Sequence, residues 1–318
     1  MRTFLLLLSV SASAAPSFET RVDARDFVKV QLHVHTTESD GDIAPDAAAA
    51  WYASHGFAAV AITDHDKLTR ANAAGITLIP GVEISSHGGK KPVHVNALCG
   101  STALKGAHAA TPREALADAV SRAKADGALA LVNHPNWMGA LDAGDLAAVQ
   151  DFDMLEIASG HPAVADDGGA DRPSAEALWQ TLLDGGRRVY AVGADDSHDF
   201  LKAGEDRKPG RAWVDAWDAD GDSACDALRD GRFYATTGAR LKALTVSGAA
   251  MTVDAADFLP GSVVEFLGPR AELLAKETAV PAVYTLRGGE TFVRARVRLR
   301  DGRRAWTQAY STSETPRR

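Results

Sequence analysis

Two histidines two positions apart, His33 and His35, close the apolar run "FVKVQLHVH" (27–35), and Asp40 follows in the turn "TTESDGD". In an extended strand residues i and i+2 share a face, so these imidazoles stand side by side. Similar groups recur downstream. His65 lies in "AITDHD", Glu83 in "IPGVEIS", His94 in "VHVNALC", His134 in "NHP", and Asp196 and His198 in "GADDSH". Taken singly, each has an ordinary explanation: a hydrogen-bonded core or rim histidine, a surface acid, a turn aspartate beside Gly41. Taken together, six histidines and three carboxylates each stand at or near the end of an apolar run. Imidazole and carboxylate are the donors that borderline divalent metals prefer, so the chemistry to expect is a multi-ligand metal pocket.

The runs that carry these groups read as strands: 27–35, 57–63, 77–85, 93–99, 128–134, 154–159 and 188–194. Most are rich in Val, Ile, Leu and Ala without strict alternation, which suits parallel strands covered on both faces. Helical stretches separate several of them. Pro45 opens "PDAAAAWYASHG", Thr111-Pro112-Arg113-Glu114 opens "REALADAVSRAKADG", and Ser174 precedes "AEALWQTLLDGG". Proline in the first turn, early acids and terminal glycine are consistent helix signals. Strand–helix alternation predicts βαβ units and a parallel sheet, as a barrel or an open sheet. In a parallel barrel the strand ends share one face, where side chains from different strands converge. After about residue 210 the pattern changes. A short helix is expected in "DSACDALRDG", and "VRARVRLRDGRRAWTQAY" signals a hairpin around Asp301-Gly302. A β-rich portion is expected from about 240 onward.

Bulk properties narrow the function. A basic start, a short apolar stretch and Ala12-Ser13-Ala14 read as a secretory signal over 1–14, so a periplasmic or secreted protein is expected. No later run is apolar and long enough to span a bilayer. The net charge of −8 argues against nucleic acid as the main partner, although it leaves room for a phosphate held by metal ions. Cys99 and Cys225 could pair in an oxidising compartment or stay as buried thiols. The oligomeric state is not legible.

The pieces "HVHTTESDG", "ITDHD", "IPGVEIS", His94, "NHP" and "DDSH" occur in an order that resembles the PHP (polymerase and histidinol phosphatase) superfamily of metal-dependent hydrolases. "GRFYATTG" (231–238) and "GRRAWTQ" (302–308) look like its carbaryl-hydrolase-like (CehA/McbA) branch. The resemblance covers roughly 29–240. It implies an α/β fold, a distorted (β/α)7 TIM-like barrel over 15–240, followed by a β-rich subdomain over 241–318. It also implies two to three divalent ions, zinc, manganese or iron. His33, His35, Glu83 and Asp196 would hold the first, and Asp40, His65 and His198 the second. Glu83, His94 and His134 would hold the third, with Glu83 bridging. Asp195 adjoins Asp196, but the i, i+2 relation to His198 favours Asp196.

The expected activity is that of a phosphoesterase acting on a small phosphate mono- or diester through a metal-bridging hydroxide. Asp66, next to His65, would take or relay a proton, and His161 and Lys202 would contact the anionic substrate. Two alternatives stand beside it: hydrolysis of a carbamate or carboxyl ester at the same metals, and a non-catalytic module that binds a ligand or an envelope partner.

Overall fold

The computed structural model describes residues 15–202, 207–218 and 223–313; the expected signal segment, 1–14, lies outside them. Each of the seven apolar runs forms a strand: β1 (Val28–Gln31), β2 (Phe57–Ala61), β3 (Gly81–Gly88), β4 (Lys91–Leu98), β5 (Leu129–Val132), β6 (Met154–Ser159) and β7 (Tyr190–Ala194). The third run is divided at Pro80, which cannot donate to a ladder, and its first half, Thr77–Ile79, pairs with β2.

The fold is mixed α/β, with several sheets and few helices. β1 and β2 pair in parallel within an eleven-stranded sheet, and β7-β6-β5-β4-β3 run in that order through a six-stranded one. The expectation of uniformly parallel strands is corrected at β4, which is antiparallel to both β3 and β5. The reason is chain length. Only Gly89 and Lys90 separate β3 from β4, enough for a hairpin and far too little for a parallel crossover. His87 consequently lies on β3.

The sheets do not close into the continuous ring that a (β/α)7 barrel would need. Among the described residues the two sheets are joined by single parallel bridges beyond the ends of β1 and β2, Val34 with Ser197 and His65 with Glu83. At the first seam buried side-chain amides take over from the ladder. Gln31 Oε1 accepts from the amides of Leu32, His33 and Asp195, while Asn96 Nδ2 donates to the Leu32 carbonyl. These bonds satisfy backbone groups that an open sheet edge would leave unpaired in the interior. Both seams carry the residues of interest.

The helices start where local chemistry predicts. Thr111 and Glu114 form a reciprocal capping box on α1's successor in the chain: α1 spans Pro45–Ser54 and α2 spans Pro112–Ala125. Ser174 caps α3 (Ala175–Asp184), and α4 (Ala224–Asp230) ends at Gly231, whose φ of +68° suits a residue without Cβ. Ala115, Leu116, Ala119 and Val120 of α2 and Leu178, Trp179 and Leu182 of α3 pack on Ile84, Val95, Val132 and Leu155. A second cluster, including Leu32, Leu131, Met154, Val192 and Phe233, fills the space between the two sheets. Cys99, just after β4, and Cys225 in α4 form a disulfide across 126 positions.

Beyond the site the chain is strand-rich. β8 (Trp213–Ala216) pairs antiparallel with β1, and β9 (Phe233–Thr236) with β8. β10 (Val263–Leu267), β11 (Leu273–Glu277), β12 (Phe292–Arg298) and β13 (Arg304–Trp306) extend the same sheet. The hairpin expected at Asp301-Gly302 joins β12 to β13. Since β13 pairs with β9, hydrogen bonds cross residue 240.

Candidate metal centre

His33 and His35 extend from the end of β1 with both side chains fully buried. Their Nε2 atoms converge to 3.2 Å. The turn that follows needs Gly41, because a Cβ there would lie 2.4 Å from the His35 carbonyl oxygen. The turn can fold tightly under the strand only with glycine, and it delivers Asp40 to His35, His65 and His198 at 3.6, 3.6 and 3.4 Å.

Glu83 on β3 is the hub. Oε1 lies 3.2 Å from His33 Nε2, 3.1 Å from His94 Nδ1 and 3.6 Å from His134 Nε2. Oε2 lies 2.8 Å from His65 Nδ1 and 3.3 Å from His35 Nε2. Asp196 Oδ1 stands 3.3 Å from His33 Nε2 and 3.2 Å from His35 Nε2. All nine side chains expected at the pocket therefore meet there. Donor atoms within 4.8 Å of one another form four groups: His35, Asp40, His65 and His198; His33, His35 and Glu83; His33, His134 and Asp196; His65, Glu83 and His94. The grouping differs from the expected partition: His35 also joins the Asp40 group, His65 also stands with Glu83 and His94, and His134 stands with His33 and Asp196.

Asp195 is turned away from its neighbour. Its carboxylate accepts from the backbone amides of Gly210, Arg211 and Ala212 and from the Tyr52 hydroxyl. Burial raises it to about 6 in spite of those bonds. Asp196 and His134 occupy backbone of positive φ, +49° and +23°, a conformation uncommon for non-glycine residues.

Burial should favour protonated carboxyls here, yet the surrounding imidazoles outweigh it. Glu83 is held well below its usual range by His94 and His33, and Asp196 by His33 and His35. His65 shows the reciprocal effect: burial lowers it, but the hydrogen bond and charge of Glu83 and the charge of Asp40 raise it to about 9. His35 goes the other way, to about 4, chiefly through burial, with His198 adding to the fall.

Protein groups alone do not satisfy this pocket. Glu83 Oε2 and His94 Nδ1 are buried without a well-aligned hydrogen bond although other donor atoms crowd them at 2.8 to 3.3 Å, and the imidazole nitrogens of His33 and His35 point at each other. A divalent cation answers each of these features at once, so the donor set fits such ions.

Several contributors are not legible in the sequence. Glu156, fully buried on β6, places Oε2 3.1 Å from His33 Nδ1. Asn133 Nδ2 donates to Glu83 Oε1 at 2.7 Å and to Asn96 Oδ1 at 2.9 Å. Ser85 Oγ meets His65 Nδ1 at 2.7 Å, and Asp64 binds Thr36, Ser39 and Thr69 under the Asp40 turn. One signal for Glu156 was available: a lone acid within the apolar "MLEIAS" must find a partner when its strand is buried.

The three expected substrate and proton-transfer residues differ in placement. His161 borders the cluster, its ring edge-on to His198 at 5.9 Å and to Trp137 at 4.8 Å. Asp66 Oδ1 instead accepts from the amides of Ser85 and Gly106, which makes it a positioning residue for β3. Lys202 directs Nζ to Asp199 Oδ1 at 3.4 Å with half its side chain in solvent. His55, His87 and His108 lie outside the cluster, the last two stacked on each other.

No family model and no curated protein matches the chain. Solved structures with some likeness include a two-domain protein from Bacteroides vulgatus ATCC 8482 containing a predicted PHP-like metal-dependent phosphoesterase (16% identity, 95% of this chain and 98% of that one, TM-score 0.49). PsfC from Pseudomonas syringae PB-5123 shares 16% identity over 65% of this chain and 88% of its own, with TM-score 0.41. An amidohydrolase from Chromobacterium violaceum, with bound sulfate and no metal, shares 19% identity over 56% and 89%, with TM-score 0.38.

Proposed function

We propose that this chain is a metal-dependent hydrolase of the PHP kind, a phosphoesterase acting on a small phosphate mono- or diester. The supporting observation is the convergence of six imidazoles and three ionised carboxylates on one pocket, their donor atoms within 4.8 Å of one another in four groups. His33, His35, His134 and Asp196 would hold one ion, Asp40, His65 and His198 another, and His94 a third, with Glu83 shared. Such ions supply a water of lowered pKa and neutralise charge on the bound ester.

The remaining roles fall to the chain's own groups. Asp40, half exposed, marks the side from which substrate enters. His161 Nδ1 accepts the Ala163 amide at 3.2 Å, so in the neutral ring the proton is on Nε2. Burial lowers its pKa, favouring that neutral form. Nε2–H can therefore donate to a substrate oxygen. Bound divalent ions would leave the pocket positive, which favours an anionic substrate and couples its binding to metal loading.

Export belongs to the same proposal. The disulfide between Cys99 and Cys225 supports it, because such bonds persist in oxidising compartments. The test is elemental analysis of the native protein, followed by paired assays on p-nitrophenyl phosphate, bis-p-nitrophenyl phosphate, naphthyl acetate and a naphthyl carbamate. Two or more equivalents of zinc, manganese or iron with hydrolysis of a phosphate ester is the expected result. Hydrolysis of only the acetate or carbamate would transfer the metals to carboxyl chemistry. Metal-free protein inert to all four would leave a binding module.

A further inference from the structure

The face of the β-sheet next to the site is cationic, although the chain as a whole is acidic. Strand register explains it. In β12 alternate residues Arg294, Arg296 and Arg298 share one face, and cross-strand pairing sets Arg296 opposite Glu265 and Arg298 opposite Arg304. Glu265 in turn stands opposite Lys276 of β11. Nearest α3, Arg294 and Arg296 are matched by Glu176 at 2.8 Å each. Further along the match fails. Glu265 is divided between Arg296 and Arg298 at 2.7 Å each, and Arg304 has Asp167 at 2.5 Å. Lys276 and Arg300 have no ion-pair partner among the described residues.

Lys276, Arg298, Arg300 and Arg304 line one groove of about 520 Å³, with Asp167 as its acidic wall residue. Asp167 and Arg304 also line a second cleft together with His161 and Arg211. The Arg304–Asp167 ion pair is thus the wall shared by the two. His161 in turn borders the metal-ligand cluster through His198. The two clefts therefore lie side by side between the outer sheet face and His161 at the rim of the site, with Asp166 and Asp167 among the lining arginines.

We propose that this groove is a subsite for a second anionic group of the substrate, so that the preferred ester carries a further phosphate-like charge remote from the bond being cleaved. The proposal rests on the phosphoesterase function above for its substrate, and on the groove's own residues for its binding. Guanidinium groups recognise phosphate oxygens through paired N–H donors, and the exposed edge of Asp167 can release Arg304 to an incoming anion. The excess of positive charge also raises the local concentration of anions before they reach the ligands.

The experiment uses inorganic tripolyphosphate as probe and calorimetric binding on the full chain after metal removal by chelation, which separates the groove from the metal-dependent chemistry. Tripolyphosphate should bind, more weakly with rising salt, and K276E/R300E should weaken it at least tenfold. The neutral K276Q/R300Q should give an intermediate loss. K90E/K91E, reversing the same charge at the tip of the β3–β4 hairpin, should leave binding unchanged. Equal losses in K276E/R300E and K90E/K91E, or no loss in either, would overturn the subsite, whatever the ester assays show. Conversely, failure of every phosphate-ester assay with tripolyphosphate binding intact would overturn the phosphoesterase function and leave an anion-binding groove.

Discussion

Glu156 Oε2 lies 3.1 Å from His33 Nδ1, while the opposite ring nitrogen of His33 faces Glu83 and Asp196 at 3.2 and 3.3 Å. A carboxylate on the far nitrogen fixes the tautomer, directs the other lone pair inward and makes the imidazole a stronger donor. Glu156→Gln keeps the shape and removes the charge. Metal affinity, read by chelator competition, should fall by about 10–100-fold. An unchanged affinity would reduce Glu156 to a packing residue.

Asp40 is the half-exposed member of its group and touches three imidazoles. Asp40→Ala should lower the metal content by one equivalent while the remaining ions stay bound. Glu83→Ala should empty the pocket more thoroughly, because that carboxylate faces five of the six histidines of the cluster. Elemental analysis of the two purified variants distinguishes a shared hub from a peripheral ligand. Equal losses would show that the pocket fills as one unit.

Asp166 gives the stability a pH dependence of its own. Burial, with the nearby charge of Glu156, raises it to about 8 against the opposing hydrogen bond from the Ser159 amide. The folded chain therefore keeps this proton up to about pH 8, whereas the unfolded chain releases it near about pH 4. With more protons bound in the folded state, stability must fall as pH rises through that window. Asp166→Asn has no proton to lose. In urea unfolding, its stability relative to wild type should improve steadily from pH 5 to pH 8, and a flat difference would contradict the assignment.

The Cys99–Cys225 bond ties the end of β4 to α4 across 126 positions. Closing so long a loop restricts the unfolded chain strongly, and its loss should cost about 2–5 kcal/mol. Cys99→Ser with Cys225→Ser should lower the melting temperature while leaving metal content intact, because neither residue touches the ligand cluster. Thermal unfolding with and without reductant provides the check.

The residue string carried the pocket's donors and most of the elements that bear them. His33 and His35 announced a shared strand face by spacing alone, and Thr111 to Glu114 announced a helix start through local hydrogen-bond chemistry. Both signals act within a few residues, so they survive without knowledge of the fold. Tertiary structure decided everything that depends on which distant groups become neighbours. It reversed β4, left the sheets open at two seams, separated Asp195 from Asp196, and set Glu156 behind His33. It also gathered Lys276, Arg300 and Arg304 on one groove. Such relations follow from strand order and register, and a side chain's partner across a sheet is invisible until that order is known.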